Sequence, residues 1–195
     1  MTQILRPALV LFTALTVLTG IGYPALVTAI GQALFPAQSN GSLVRDGEHV
    51  LGSTRVGQAF SDPRFFWSRP SATGPVPYNA AASTGSNLGP SNPALHEAVA
   101  TRIEALRTAG GPAGPVPADL VTTSGSGLDP HVSPAAANYQ LARVAHARGL
   151  PEEAVRRLIE AHTEGRSFGL LGEPRVNVLL LNLDLERIDR SSGKE

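Results

Sequence analysis

The chain begins with a long apolar segment that carries no charge. No charged side chain occurs in residues 7–44, and the only polar members of residues 8–30 are four threonines and one tyrosine. A helix rises 1.5 Å per residue, so this segment would extend about 34 Å, enough to cross roughly 30 Å of hydrocarbon. We therefore predict one transmembrane helix at 8–30 behind a short cytoplasmic N-terminus at 1–7. A signal peptide is the alternative, but its apolar core usually has only about 7–15 residues.

Two features mark the predicted transmembrane helix. Gly20, Gly22 and Pro24 cluster near its middle and predict a kink there. Ala25 and Ala29 lie four residues apart, and small side chains at this spacing allow another helix to pack closely in lipid. Alanine is abundant throughout the chain, so composition explains the stripe equally well.

The helical periodicity continues in three later segments, each with a start and a stop signal. Proline near a capping residue opens each segment and glycine closes it. The predicted helices run from Pro93 to Gly110, from Pro134 to Gly149 and from Pro151 to Gly165. In the third helix, His162 falls on the apolar face, which is more typical of a hydrogen-bonded core histidine than of a ligand.

Strand patterns are fewer. We predict a strand within residues 49–60, a short strand at 118–123 and a third strand at 175–185. Apolar residues occupy both alternating faces of the third segment, as in a central strand that is covered on both sides. The fold class expected for residues 31–195 is therefore a mixed α/β (α+β) domain attached to a single N-terminal transmembrane helix.

Long irregular segments separate these elements. Residues 70–92 contain 23 positions, of which 16 are Gly, Pro, Ser, Thr or Asn. Two shorter polar loops follow at 108–117 and 122–134. A structureless loop of this length is normally functional or disordered.

Charge and composition exclude several classes of protein. The chain has 16 basic and 16 acidic residues, which gives no basic excess for binding nucleic acid. The only lysine is Lys194, so a phosphate-binding P-loop lysine is excluded. Cysteine is absent, which removes thiol nucleophiles and zinc–thiolate sites. No pair of histidines has the spacing of a helical metal site, so we expect no bound metal.

One cluster allows a catalytic interpretation. Asp129 and His131 are a carboxylate–imidazole pair, and Ser133 follows two residues after the histidine. A membrane-anchored extracytoplasmic hydrolase using Asp129, His131 and a serine is the alternative function. The structural interpretation makes Asp129 a turn residue and Ser133 a helix cap. Arg69, next to an aromatic cluster, is either an anion clamp or a surface arginine.

Six segments in one order resemble a known family, the C subunit of the bacterial Kdp-type potassium-transporting P-type ATPase. They read LFPAQSNGSL at 34–43, VGQAF at 56–60, FFWSRPSA at 65–72, YNAAASTGSNLGPSNP at 78–93, VPADLVTTSGSGLDPH at 116–131 and GEPRVNVL at 172–179. Thr84 and Thr123 depart slightly from the family's usual glycine and alanine.

The resemblance implies a non-catalytic subunit of an ATP-driven potassium import complex in the bacterial inner membrane. Its partners would be a channel-like subunit that binds potassium and a subunit that hydrolyses ATP. The C subunit is needed for assembly and is also described as a catalytic chaperone that raises the ATP affinity of the hydrolytic subunit. The resemblance therefore implies ATP binding through that partner, and we expect no cofactor held firmly by this chain.

The remaining expectations concern the orientation of the chain in the membrane and its contacts with the partner subunits. Arg6 precedes the helix, and charges of both signs follow it, so the positive-inside rule favours an extracytoplasmic domain. Such a domain is separated from cytoplasmic ATP, which favours assembly contacts over direct nucleotide binding. We expect partner contacts at Ala25 and Ala29 in the membrane and at Arg69, Asn79, Ser86 and Asn87 in and beside the polar loop.

Overall fold

The computed structural model describes residues 2–192. The chain divides into two compact units, Met1–Leu51 and Gly52–Glu195, and each is described by itself. The N-terminal unit contains α1 (Thr2–Val17), a π-helical turn (Leu18–Gly22), α2 (Tyr23–Leu34) and the short α3 (Pro36–Ser39). Strand β1 (Leu43–Asp46) follows and pairs with β2 (His49–Ser53).

The apolar segment forms one helix that is long and apolar enough to cross a membrane. This candidate span covers Ile4–Leu34, which is 31 residues, and none of it is buried within the protein. It is longer than the span predicted at 8–30. The helix stops at Phe35 because Pro36 follows, and the residue before a proline is disfavoured in the helical conformation.

The predicted interruption of this helix takes the form of a π-helical turn. The N–H of Tyr23 donates to the carbonyl of Leu18, five residues back, instead of the usual four. Pro24 lies at the start of the next helical segment and supplies no N–H of its own. The widened turn thus changes the register of the backbone hydrogen bonds at the position where proline removes a donor.

The C-terminal unit combines helices with a small antiparallel sheet. Strand β5 (Arg175–Asn177) lies between β3 (His131–Val132) and β4 (Thr163–Glu164). Val132 and Thr163 both lie opposite Val176. The remaining elements are α4 (Pro93–Thr108), α5 (Ala118–Val121), α6 (Pro134–Arg148), α7 (Glu152–Ala161) and α8 (Val178–Ser192). The mixed helix-and-sheet class is therefore confirmed.

The three predicted helices are confirmed as α4, α6 and α7. Asn92 and Ser133 cap α4 and α6, accepting hydrogen bonds from the N–H groups of Ala94 and Ala136, both at 3.0 Å. Gly149 ends α6 with a φ of 64°, a conformation that glycine adopts without strain. Helix α7 ends earlier than predicted because the residues that follow it pair with β5.

Two predicted strands are wrong. Only residues 175–177 of the segment 175–185 are extended, and α8 begins at Val178. The Asn177 side chain accepts a hydrogen bond from the N–H of Leu180 at 3.2 Å and thereby caps the new helix. Val178, Leu181 and Leu185 are fully buried at helical spacing, so the leucine-rich run fits a helix as well as a two-sided strand. Residues 118–121 form a helical turn instead of the other predicted strand.

The core of the C-terminal unit lies between the aromatic segment at 65–67 and helices α6, α7 and α8. Its fully buried apolar side chains include Phe66, Val144, Val155, Ile159, Val176, Leu181 and Leu185. Arg143 is also buried and lies over the ring of Trp67, with its guanidinium carbon 4.6 Å from the ring centroid. Burial lowers the pKa of Arg143 to about 10, so its side chain still carries charge at neutral pH.

Candidate functional site

The candidate site begins with the aromatic segment that leads into Arg69. Gln140 on α6 accepts a hydrogen bond from the N–H of Trp67 at 2.7 Å and donates one to its carbonyl at 3.1 Å. Asn182 on α8 makes the same pair of bonds to Phe66. The two side-chain amides thus satisfy the backbone N–H and carbonyl groups of Phe66 and Trp67, as a neighbouring strand would in a sheet. They hold this segment, and therefore Arg69, in a fixed position.

The Arg69 guanidinium joins the aromatic segment to the loop at 122–129. Its Nε donates to the carbonyl of Thr122 at 3.2 Å, and Nη2 donates to the carbonyl of Thr123 at 3.3 Å. Its Nη1 lies 3.4 Å from Asp129 Oδ2 in a partly exposed ion pair. The fixed fork of a guanidinium suits three simultaneous acceptors. Arg69 is therefore neither a free surface arginine nor an open anion clamp.

The polar loop at 70–92 has a defined structure although it contains little regular secondary structure. Its only helical turn is the short 3₁₀ helix Ala80–Ala82. The Ser71 hydroxyl donates to the carbonyl of Gly127 at 2.7 Å and accepts from the N–H of Tyr78 at 2.9 Å. The Tyr78 hydroxyl donates to the Arg69 carbonyl, and burial raises the pKa of Tyr78 to about 12. Side-chain hydrogen bonds to the backbone therefore hold the loop in shape.

The polar loop and the loop at 122–129 approach closely through their backbones. The N–H of Thr84 donates to the carbonyl of Ser126 at 3.0 Å. Gly127 has a φ of 67°, and a Cβ atom there would lie 2.6 Å from the carbonyl oxygen of Thr84. A side chain at this position would force the two loops apart. Close packing thus explains the glycine at position 127 of the second loop.

The predicted interface residues of the polar loop occupy different environments. Asn79 accepts a hydrogen bond from the N–H of Ala81 at 3.0 Å and donates to the carbonyl of Gly74 at 2.8 Å, so its amide shapes the loop itself. Ser86 is partly exposed, and Asn87 is exposed with a φ of 53°. Ala25 and Ala29 lie on α2 with exposed side chains.

A surface pocket of about 600 Å³ lies beside this junction. Its polar lining comes from Arg69, Asp119, Thr122, Asp129, His131, Ser133, Glu173 and Arg175. Both signs of charge are present, so the pocket does not favour a ligand of one charge. Among residues 2–192, no three His, Asp or Glu side chains gather in a way that could hold a metal ion.

The geometry of the Asp129–His131–Ser133 cluster confirms the structural interpretation of its members. Asp129 Oδ1 accepts from the backbone N–H of His131 at 3.0 Å and lies 3.3 Å from its Nδ1. The Ser133 hydroxyl donates to Asp119 Oδ1 at 3.2 Å while it caps α6. Ser133 is therefore oriented by Asp119 and not by the imidazole.

The ionisation of Asp129 reflects its neighbours. Burial alone would raise its pKa, but hydrogen bonds from His131 and the charges of His131 and Arg69 outweigh burial. The net result is a pKa below the usual value for aspartate. This carboxylate is thus held in its charged form as the partner of Arg69.

The loop at 122–129 uses two of its backbone N–H groups in hydrogen bonds to its own serine side chains. The N–H of Gly127 donates to the Ser124 hydroxyl at 2.9 Å, and the N–H of Leu128 donates to the Ser126 hydroxyl at 3.1 Å. A phosphate-binding loop directs such N–H groups towards the ligand. Here these two groups bond to serine hydroxyls of the loop itself.

Sequence reasoning missed the buried amides Gln140 and Asn182. Asn182 interrupts the leucine-rich run at 178–185, and a polar residue within such a run signals a buried hydrogen bond. The prediction that His162 is hydrogen-bonded is confirmed, since its Nε2 lies 2.8 Å from Asp184 Oδ2.

Known proteins match nearly the whole chain, including both the candidate membrane helix and the mixed helix-and-sheet unit. The family described as KdpC, the c chain of K⁺-transporting ATPase, matches residues 5–187. A potassium-transporting ATPase KdpC subunit of Sorangium cellulosum is 66% identical over 183 residues, covering 93% of this chain and 96% of the relative. One of Burkholderia mallei is 58% identical over 187 residues, covering 95% and 97%.

These matches define a subunit of a potassium-transporting ATPase. The chain belongs to the KdpC family, as its sequence motifs indicated. Its apolar N-terminal helix fits a membrane-anchored member of such a complex.

Proposed function

We propose that the chain is a non-catalytic accessory subunit of an ATP-driven, high-affinity potassium import complex, and that it is needed for assembly. One observation carries the non-catalytic assignment. The Ser133 hydroxyl, which lies two residues after His131 in the sequence, is engaged in capping α6 and donating to Asp119. These contacts support a structural role for Ser133 over a role as a nucleophile.

The membrane part of the proposal rests on the helix at 4–34. Its apolar surface is exposed along its length, and the Ala25–Ala29 stripe allows the backbone of a partner helix to approach closely. The partners we propose are the channel-like potassium-binding subunit and the ATP-hydrolysing subunit.

The proposed orientation places residues 36–195 outside the bacterial inner membrane. Arg6 before the helix and the mixed charges after it support this orientation. Protease added to intact spheroplasts should then digest the C-terminal unit. Full protection of that unit would contradict the orientation.

The polar loop supports a contact with the potassium-binding subunit. Its shape is fixed by internal hydrogen bonds, and a preorganised surface loses little entropy on binding. In this proposal Ser86 and Asn87 touch the partner. Arg69 and Asn79 hold the surface in shape, since their polar groups already bond within the chain.

We propose that any increase in ATP affinity comes through assembly with the hydrolytic subunit. The N–H groups of Gly127 and Leu128, which already bond to serine hydroxyls of their own loop, support this over direct nucleotide binding. The extracytoplasmic placement proposed above supports it as well.

The catalytic alternative is tested with Ser133→Asn. Asparagine is a good helix cap, and its amide can donate to Asp119, so the fold should be kept while the nucleophile is lost. We expect transporters containing this variant to keep wild-type potassium-stimulated ATP hydrolysis. Activity lost in a folded and fully assembled complex would favour the hydrolase function.

A further inference from the structure

The surface pocket of about 600 Å³ beside the Arg69 junction has the size of a small-molecule site. Pockets that bind small molecules usually measure about 300–1,000 Å³ and combine an apolar lining with a few polar groups. Here Ala118, Val132 and Pro174 supply the apolar part of the lining, and charged side chains supply much of the polar part. The charged groups that have no partner within the chain decide which ligand the pocket can bind.

Two of the three carboxylates at this pocket are already paired with arginine. Asp129 Oδ2 lies 3.4 Å from Nη1 of Arg69, which lines the same pocket. Glu173 Oε2 lies 2.7 Å from Nη2 of Arg166. These two ion pairs neutralise their members, so neither carboxylate needs a charged ligand.

Asp119 is the carboxylate of the pocket that has no cationic partner. Its two oxygens accept hydrogen bonds from the backbone N–H of Ser133 at 2.6 Å and from the Ser133 hydroxyl at 3.2 Å. Among the side chains that the structure describes, no basic group lies within ion-pair distance of this carboxylate. The two oxygens of a carboxylate offer about four acceptor positions, so Asp119 can accept further hydrogen bonds. It therefore presents an uncompensated negative charge to the pocket.

Arg175 supplies open cationic donors at the same pocket. Its Nε donates to Glu164 Oε2 at 3.0 Å, and its Nη2 lies 2.8 Å from the same oxygen. Its Nη1 makes no hydrogen bond to any residue in the described part of the chain. A guanidinium has five N–H donors, so contact with one carboxylate oxygen leaves others available. Nη1 can therefore donate to a carboxylate of a ligand.

The pairing of β3 with β5 brings Asp119 and Arg175 to one end of the sheet. Val132 lies opposite Val176, and the next residues outward are Ser133, which holds Asp119, and Arg175. Asp119 and Arg175 line one pocket but form no ion pair with each other. Opposite charges that share a pocket without meeting can be bridged by a ligand that carries both charges.

His131 adds a further polar contact to the pocket wall. Its Nδ1 lies 3.3 Å from Asp129 Oδ1, and a charged carboxylate only accepts, so Nδ1 carries the proton of the neutral ring. Its Nε2 then carries a lone pair and has no partner among the described residues. A nitrogen with a lone pair accepts from an ammonium group but not from a carboxylate. His131 therefore favours a ligand with an ammonium group.

We infer that this pocket binds a small zwitterion, namely a free α-amino acid with an apolar side chain. The ammonium group of the ligand donates to Asp119, and its carboxylate accepts from Nη1 of Arg175. Its side chain packs on the apolar part of the lining. A ligand with only one of the two charges would leave Asp119 or Arg175 unpaired, so recognition needs both charges. The site belongs to this chain alone and does not depend on the proposed accessory function.

Equilibrium dialysis of the full chain in a nonionic detergent tests the inference. The probe is radiolabelled L-valine at neutral pH. Unlabelled L-valine, acetate and methylammonium are the competitors, because acetate and methylammonium each carry only one of the two charges. Every variant is also melted thermally to verify that it is folded.

The expected result for the wild-type chain is saturable binding of L-valine. We expect acetate and methylammonium each to compete at least about tenfold more weakly than unlabelled L-valine. The absence of saturable binding up to about 50 mM L-valine would overturn the inference. Competition by acetate or by methylammonium that equals competition by L-valine would overturn it as well, since one charge would then suffice.

Two variants locate the site within the chain. Asp119→Asn keeps an oxygen that accepts from the N–H of Ser133 but removes the negative charge, and Arg175→Gln removes Nη1. We expect each substitution to weaken binding of L-valine about tenfold or more. Glu153→Gln and Arg157→Gln are the matched controls, since these residues form an exposed ion pair on α7 and do not line the pocket.

The controls should keep the wild-type affinity for L-valine. Unchanged affinity of either folded pocket variant, or equal losses in the α7 controls, would overturn the inference. If Asp119→Asn does not fold, Arg175→Gln and the competition experiment on the wild-type chain decide.

Discussion

Asn182 on α8 hydrogen-bonds to both backbone groups of Phe66, a residue 116 positions away in sequence. Its Oδ1 accepts from the N–H at 2.8 Å, and its Nδ2 donates to the carbonyl at 3.0 Å. Both residues are buried, so no solvent replaces these bonds when they are lost. The contact fixes the aromatic segment and, through it, the position of Arg69.

Replacing Asn182 by Ala should strongly destabilise the chain. The substitution leaves a buried N–H and a buried carbonyl without partners, and each unsatisfied group costs about 1–3 kcal/mol. We expect the free energy of unfolding of the full chain in detergent to fall by roughly 2–5 kcal/mol. Asn138→Ala is the control, because Asn138 is exposed and makes one bond to Pro134 within its own helix. Equal losses for the two variants would contradict the role given to Asn182.

Two of the three asparagines in the polar loop, Asn79 and Asn87, should behave differently. Asn79 bonds to the loop backbone, so Asn79→Ala should lower the stability of the chain by about 1–3 kcal/mol. Asn87 is exposed and has a left-handed backbone with a φ of 53°, a conformation that glycine keeps without strain, so Asn87→Gly should weaken assembly with the potassium-binding subunit while the stability of the chain stays unchanged. Thermal melting of the full chain and subunit co-purification in detergent measure the two effects. Normal assembly of Asn87→Gly would remove this residue from the proposed interface.

The positions of several helices in the C-terminal unit follow from local sequence signals. Asn92, Ser133 and Gly149 mark helix ends through hydrogen bonds with nearby residues, and such signals are readable from the sequence. The run at 178–185 was misread because consecutive leucines satisfy both a two-sided strand and a helix, and only the cap at Asn177 decides between them.

The junction at Arg69 could not be predicted in detail for a different reason. Its acceptors at Thr122 and Thr123 are backbone carbonyls more than fifty positions away, and a carbonyl has no signature in the sequence. The sequence likewise does not predict that Phe168, Leu170 and Leu171 are exposed, because a short Phe-Gly-Leu-Leu sequence resembles an ordinary buried segment.

The hydrogen bonds from His131 to Asp129, together with the charges of His131 and Arg69, predict a dependence of stability on acidic pH. The folded-state pKa of Asp129 lies below its ordinary value of 3.8. The stabilisation is therefore present above the unfolded-state pKa and is lost as the pH falls through the lower folded-state pKa. We expect Asp129→Asn to be less stable than wild type at pH 6, with a difference that shrinks as the pH falls below about 4.

Chemical unfolding of the full chain across pH 2–7 measures this dependence, and Asp184→Asn reports the effect of removing a carboxylate elsewhere in the unit. A stability difference between wild type and Asp129→Asn that stays constant, or that grows at low pH, would contradict the assigned sign.

Ala25 and Ala29 on α2 give a prediction about helix packing within the membrane. Ala25→Leu and Ala29→Leu should loosen the complex, because a bulky side chain separates packed helix backbones. Membrane insertion should be unaffected, since leucine is at least as apolar as alanine. Val27→Leu is the matched control on another face of the same helix. Unchanged co-purification of both alanine variants, or equal loss in the control, would remove the packing claim.

The central claim, that this chain is an accessory subunit needed for assembly, is tested most directly by one measurement. The yield of the complex between the potassium-binding and ATP-hydrolysing subunits is determined after purification from membranes that contain or lack this chain. The account predicts that the yield collapses without the chain and is restored equally by the wild-type chain and by Ser133→Asn. Full recovery of the two-subunit complex in the absence of the chain would contradict it.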